Sequence, residues 1–118
     1  MKKEYVIEAP SGFRAEHIEQ ADSFFTRFCG LMCRAGLPEG GGLLLRECGS
    51  IHCCFMRFTI DVVYLDENMK ILAVETVRPW RIGSLIRGAR HVLELREGAA
   101  AALTVGETLQ IKETEKRV

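Results

Sequence analysis

Asp61 is the polar residue of this sequence that carries the most chemical information. It lies inside the apolar run Ile60-Asp61-Val62-Val63-Tyr64-Leu65. In a strand it shares a face with Val63 and Leu65, while Ile60, Val62 and Tyr64 take the other. A carboxylate on an apolar face needs a cation or amide donors to satisfy it. Two readings follow. Asp61 is a general acid or base, or a ligand anchor, in a pocket; or it is a structural carboxylate that accepts loop amides or pairs with an arginine. Arg27 and Arg34 stand seven residues apart, so on a helix they fall on nearly the same side. With Gly30 near their stripe they offer an anion site or an arginine partner for Asp61. The plainer alternative is a solvated polar face on which Arg34 favours the helix C-terminus.

A second concentration of charge runs from Val77 to Leu93. It holds Arg78, Arg81, Arg87 and Arg90 with Trp80 and no acidic residue. Its part from Pro79 to Gly88 reads as a long loop, and long loops often carry function. Four arginines and a tryptophan suit a phosphate, a nucleic-acid strand or an acidic partner. The alternative is an ordinary basic loop with Trp80 packed on the core. Glu94, in the strand after this loop, is in a position to pair with one of these arginines.

The five cysteines and His52 raise the question of a metal. Cys29 and Cys33 have the i,i+4 spacing that converges on one ion from a regular helix, and Cys48, His52, Cys53 and Cys54 are further donors. No Cys-x-x-Cys pair is present, and adjacent strand residues such as Cys53 and Cys54 point to opposite faces. His52 diverges from Cys53 for the same reason, so a nucleophile–base pair is not formed there. Free cysteines behave as small buried hydrophobes. No metal site and no cofactor are expected. Met32 and Met56 read as core or pocket wall.

These residues need a scaffold, and the chain is long enough to supply one. Its 118 residues fit one domain, residues 1–118. A 47% hydrophobic fraction excludes global disorder. A formal net charge of zero gives no support to a polyanion binder, so nucleic acid is an unfavoured partner. No secretory h-region and no run of about 18 apolar residues occurs, so the expectation is a cytoplasmic protein off the membrane. An odd number of cysteines cannot all pair within one chain, and free thiols fit that compartment.

Residues 3–8 alternate as a short amphipathic strand, with Tyr5 and Ile7 on one side. Pro10-Ser11-Gly12 breaks it, and residues 14–20 are ambiguous. From Ala21 the apolar residues Phe24, Phe25, Phe28, Leu31 and Met32 recur at helical spacing, with Asp22 or Ser23 as N-cap and Gly36 and Pro38 as the stop. Gly40-Gly41-Gly42 reads as a flexible link into the buried strand Leu43-Leu44-Leu45. Residues 51–56 read as a central strand. Residues 60–65 and 71–77 read as a hairpin with a longer turn in which Asn68 is left-handed. Residues 91–96 form another strand, Gly98 and four alanines a short helical turn, and Leu109 and Ile111 mark a last strand before a frayed tail from Lys112 to Val118. The expected fold is α+β: mainly antiparallel sheet curled towards a small barrel that hides its edges, with one longer helix packed on it.

The stretch Phe55-Met56-Arg57-Phe58-Thr59-Ile60-Asp61-Val62-Val63-Tyr64-Leu65-Asp66 resembles the central signature of domain-of-unknown-function family 192. Gly30-Leu31-Met32-Cys33-Arg34 resembles the end of that family's helix, and Gly42-Leu43-Leu44-Leu45 its following strand. Leu93-Glu94-Leu95-Arg96-Glu97-Gly98 and Gly106-Glu107 resemble its closing elements. The resemblance covers roughly residues 15–111. It implies a fold and a residue pattern and brings no established activity. The expected function is a non-catalytic accessory module that binds a small ligand or a protein partner. Its candidate cleft gathers Arg27, Met32, Arg34, Met56, Arg57, Asp61, Trp80 and Glu94. The alternatives are a small enzyme using Asp61 as acid or base beside an arginine, and an anion or nucleic-acid contact through Arg78 to Arg90.

Overall fold

The fold is that of a computed structural model, which describes residues 3–21, 40–47, 58–79, 81 and 83–115. Seven strands make up nearly all of its regular structure: β1 (Lys3–Glu8), β2 (Arg14–Ala21), β3 (Gly42–Leu45), β4 (Ile60–Leu65), β5 (Ile71–Val77), β6 (His91–Arg96) and β7 (Gln110–Glu115). They form one sheet in the order β5-β4-β6-β3-β2-β1-β7. Every neighbouring pair is antiparallel except β2 and β3, which run parallel from Ile18↔Gly42 to Ala21↔Leu45.

The strands are apolar on alternate residues, and the sheet buries both faces. Ile7, Ile18, Leu44, Val63, Leu65, Leu93 and Leu95 make the core of one face. Leu43, Leu45, Ile60, Val62, Tyr64 and Val92 make that of the other. β4 is buried along its whole length, as a central strand between β5 and β6 must be. β2 explains why residues 14–20 resist a periodic reading. Ala15 and Ile18 face the same core three residues apart, because His17 takes a left-handed φ of 59° and the register shifts between Tyr5 and Ile7.

The hairpin between β4 and β5 is present, with one difference in its turn. Asp66 Oδ1 accepts the backbone N–H groups of Asn68 at 2.8 Å and Lys70 at 2.9 Å. The left-handed residue is Met69, at φ 65°, and not Asn68. Met69 is buried against the first core, so packing overrides the local preference of asparagine.

Three expectations are corrected. The first is the α+β class. Among the described residues the only helical element is the 3-10 turn Ala99–Ala102, the turn expected from the alanine run. Among the described residues no longer helix packs on the sheet. Ala21, counted with the apolar face of the expected helix, ends β2 and pairs with Leu45; residues 22–34 lie outside the described residues, as does the expected strand 51–56. The class is a seven-stranded sheet. The second is the barrel. The order ends on β5 and β7 and does not close. Among the described residues the edges touch only where Lys70 bridges Thr108, beside the bonds Ile71 N–H to Glu107 O (2.8 Å) and Leu109 N–H to Met69 O (2.9 Å). β7 starts beyond that bridge and follows β1 instead. Exposed Lys112 and Glu113 blunt its outer edge in place of closure. The third is the tail: Lys112 to Glu115 continue β7 opposite Val6 to Lys3.

Among the described residues no helix is long and apolar enough to cross a membrane.

Candidate functional site

Ile60 is opposite both Val77 and Arg96, and Gly42 is opposite Leu95. Strands β3 and β4 therefore begin, and β5 and β6 end, at one end of the sheet. The two candidate carboxylates sit just inside that end, on opposite faces. Of the other candidates, Arg27, Met32, Arg34, Met56, Arg57 and Trp80 lie outside the described residues, as do all five cysteines and His52. Among the described residues no group of His, Cys, Asp and Glu could hold a metal ion.

Asp61 is the second residue of β4 and only 5% exposed. It shares the first face with Val63 and Leu65, as strand periodicity requires. Its Oδ2 accepts the backbone N–H groups of Gly98 (2.9 Å) and Ala100 (3.0 Å), and its Oδ1 accepts the Thr76 hydroxyl (2.9 Å). The carboxylate thus caps the start of the 3-10 turn from a distant strand. That turn has no side-chain cap of its own, because Gly98 stands at its N-cap with a left-handed φ of 90°.

Glu94 is equally buried, at 5% exposure, on the second face. The register places it between Val62 and Leu43. Beyond Val62 stands Glu75, and beyond Leu43 stands Glu19. Three glutamates therefore alternate with two aliphatic residues in a row across five strands. Sequence reasoning found Glu94 and missed this row, because lateral register is not written in any one strand.

Glu75 has a clear task. It accepts the hydroxyl of the fully buried Tyr64 and, from the following loop, the Ser84 N–H at 2.8 Å and the Ser84 hydroxyl at 3.2 Å. Partial burial opposes its charge, but the hydrogen bonds from Tyr64 and Ser84 outweigh that and hold its carboxyl below the ordinary range. β5 and β6 both run antiparallel to β4. The loop between them must therefore travel back along the sheet. Ser84 fastens its middle, and Ile86 and Ala89 pack on the second core. Its last arginine, Arg90, pairs with Glu47 at 3.0 Å. Arg78, Arg81 and Arg87 are exposed, and among the described residues no carboxylate engages them.

His91 is a buried titratable residue that the sequence did not single out. It opens β6 at 5% exposure, and its Nδ1 accepts the N–H of Glu47 at 3.1 Å. That bond requires a neutral ring at Nδ1. Burial lowers its pKa below the ordinary 6.5, and the charges of Arg46 and Arg90 add to this while Glu47 and Asp66 oppose it. The unfolded chain therefore takes up the proton first. The stabilisation is complete above about pH 6.5 and is lost as the pH falls from there towards the folded value. Unfolding free energy measured from pH 7 to pH 5 should fall with a slope of at most about 1.4 kcal/mol per pH unit from this group. His91→Asn, which keeps an acceptor for the Glu47 amide, should flatten that slope; an unchanged slope would assign it elsewhere.

The geometry can now be set beside known proteins. The sequence profile of DUF192, described as "Uncharacterized ACR", matches residues 5–112. A UPF0127 protein of Thermococcus gammatolerans is 36% identical over 107 residues, covering 86% of this chain and 70% of that one. A UPF0127 protein of Pyrococcus furiosus is 36% identical over 92 residues, covering 72% and 76%. Among solved structures, a protein of unknown function from Novosphingobium aromaticivorans superposes with a TM-score of 0.76 at 18% identity, over 91% of this chain and 83% of that one. A Sinorhizobium meliloti protein gives 0.75 at 20% identity, over 93% of each. At these identities the solved structures share the fold alone.

Proposed function

The chain belongs to the DUF192 family, and from that premise we propose that it is a non-catalytic binding module of the cytoplasm, a single domain that meets a small ligand or a protein partner at the end of the sheet where β4 begins and β5 and β6 end. The observation that supports this reading is the occupation of Asp61. A general acid or base must exchange its proton with a substrate within hydrogen-bond reach. Asp61 faces two backbone amides and a threonine hydroxyl instead, and all three hold their place in the fold. What supports recognition at the same end is that Phe58 and Pro79, which flank β4 and β5 there, are only partly buried.

The test is a ligand-observed NMR screen of small carboxylates, phosphates and amines. Line broadening of at least one class, with each ligand recovered chemically unchanged, is the expected result. Formation of a product that disappears with Asp61→Asn would establish the enzyme alternative and overturn the proposal. A screen in which nothing broadens also counts against it, as far as a small ligand is concerned.

A further inference from the structure

We propose that the loop of residues 78–90 is a docking surface for an acidic polypeptide segment of a partner protein, one that carries apolar side chains among its carboxylates. The inference rests on the binding-module reading and names the partner's chemistry.

The loop is fastened at both flanks of Leu85. Ser84 is held to Glu75 through its N–H and its hydroxyl, and Ile86 packs on the second core. Leu85, between them, is 87% exposed. Its exposure is therefore imposed by two anchored neighbours and does not come from a loose chain end. The only other exposed large hydrophobic residue among the described residues is Val105, at 60%, before β7. Two tight turns flank Leu85 along the loop. One closes from Arg81 N–H to Arg78 O at 3.2 Å, and the other from Ala89 N–H to Ile86 O at 3.1 Å. In the second, Gly88 has φ 86°, the signature of a type II turn, which puts Arg87 at its outer corner.

Three arginines of this loop differ from the cations that are tied into the fold. Arg14, Arg90 and Lys112 each hold a glutamate within the fold. Arg78, Arg81 and Arg87 are exposed and hold none among the described residues, although the chain as a whole is formally neutral. A guanidinium presents a planar fork that fits a carboxylate with two parallel hydrogen bonds. Three such forks on the loop that presents this leucine match a segment that alternates acid and apolar residues. A nucleic-acid backbone has no use for Leu85, and its binders carry a basic balance that this chain lacks. Stable membrane attachment takes more buried apolar surface than one leucine supplies.

Trp80 is the only tryptophan of the chain and lies within this loop, so its fluorescence reports on docking. The probes are a blocked peptide of alternating glutamate and leucine, the same peptide with serine for leucine, oligothymidylate, and phosphatidylserine vesicles. The glutamate–leucine peptide should give saturable changes that weaken about tenfold when salt is raised from about 50 to about 300 mM. The triple variant Arg78→Glu, Arg81→Glu, Arg87→Glu should lose about tenfold or more in affinity, and Leu85→Ser several-fold, with thermal unfolding unchanged because all four side chains are exposed. The serine peptide should bind as the Leu85→Ser variant does. No saturable change, equal binding by the triple variant, or preference for oligothymidylate or the vesicles would overturn the proposal. If the peptide fails while small ligands still broaden in the NMR screen, the docking surface falls and the binding-module reading stands.

Discussion

Asp61→Ala should lose about 3–5 kcal/mol of unfolding free energy in a urea titration. The side chain serves three donors, the N–H groups of Gly98 and Ala100 and the Thr76 hydroxyl. A buried donor left without an acceptor costs about 1–3 kcal/mol. The Thr76 hydroxyl can turn to water, since Thr76 is exposed; the Ala100 amide cannot, since Ala100 is only 3% exposed. Stabilities of domains this size run to about 5–15 kcal/mol, so the alanine variant should be close to its threshold. Asp61→Asn should be far milder, at about 1–2 kcal/mol. Its amide oxygen can still accept from the two backbone groups, and its NH2 can donate to the Thr76 oxygen. A loss below about 1 kcal/mol for the alanine variant would show that the turn does not depend on this carboxylate.

Gly42→Ala should cost about 2–3 kcal/mol, a large effect for one methyl group. A Cβ at Gly42 would meet the backbone oxygen of Glu94 at 2.7 Å, Leu95 Cδ2 at 2.9 Å and Ile18 Cδ1 at 3.0 Å. The two side chains can adjust, but the Glu94 carbonyl belongs to β6, which is held by β3 on one side and β4 on the other. The same titration reads the result. A change under about 0.5 kcal/mol would mean that the β3–β6 ladder has slack that its close contacts do not suggest.

Gly42 also shows how a sequence can be legible and still mislead. Three consecutive glycines suggest a flexible link, yet the last of them is a buried strand residue chosen for close approach of two backbones. The strands that alternate or run apolar, β1, β3, β4, β5 and β6, were readable from their periods. β2 was not, because the left-handed His17 puts Ala15 and Ile18 on one face at a spacing of three. The far half of β7 was not, because Lys112 to Glu115 carry charge at every step but one and are strands only through their pairing with β1. The helical spacing was read to include Ala21, which the ladder with β3 claims for the sheet, while the rest of that stretch lies outside the described residues. Open order was likewise hidden: whether β5 meets β7 depends on long-range register, which no local pattern encodes.

The site divides in the same way. Asp61 stood out because a charge interrupts an apolar run, and that signal is local. Its donors come from residues 76, 98 and 100, and nothing near Asp61 in the sequence announces them. His91 gave no warning, since a histidine at the head of an apolar strand is common and its partner, the Glu47 amide, is 44 positions away. Arg90, the last of the loop arginines, takes Glu47, 43 positions away, and no local pattern announces that pairing.

The pairing of β1 with β7 fixes an order of events at the ribosome. Lys3–Glu8 is made first, and its outer neighbour Gln110–Glu115 is made after about a hundred further residues. At roughly 5–20 residues per second, β1 waits on the order of 5–20 s with one hydrogen-bonding edge open. β2 is the partner on its other side and arrives early, and β3 to β6 follow it, so until β7 emerges the nascent chain carries six strands with β1 as an open edge. The strand that completes the sheet thus acts as a latch set late in synthesis, and a chain stalled before residue 110 presents the open edge on which misassembly begins.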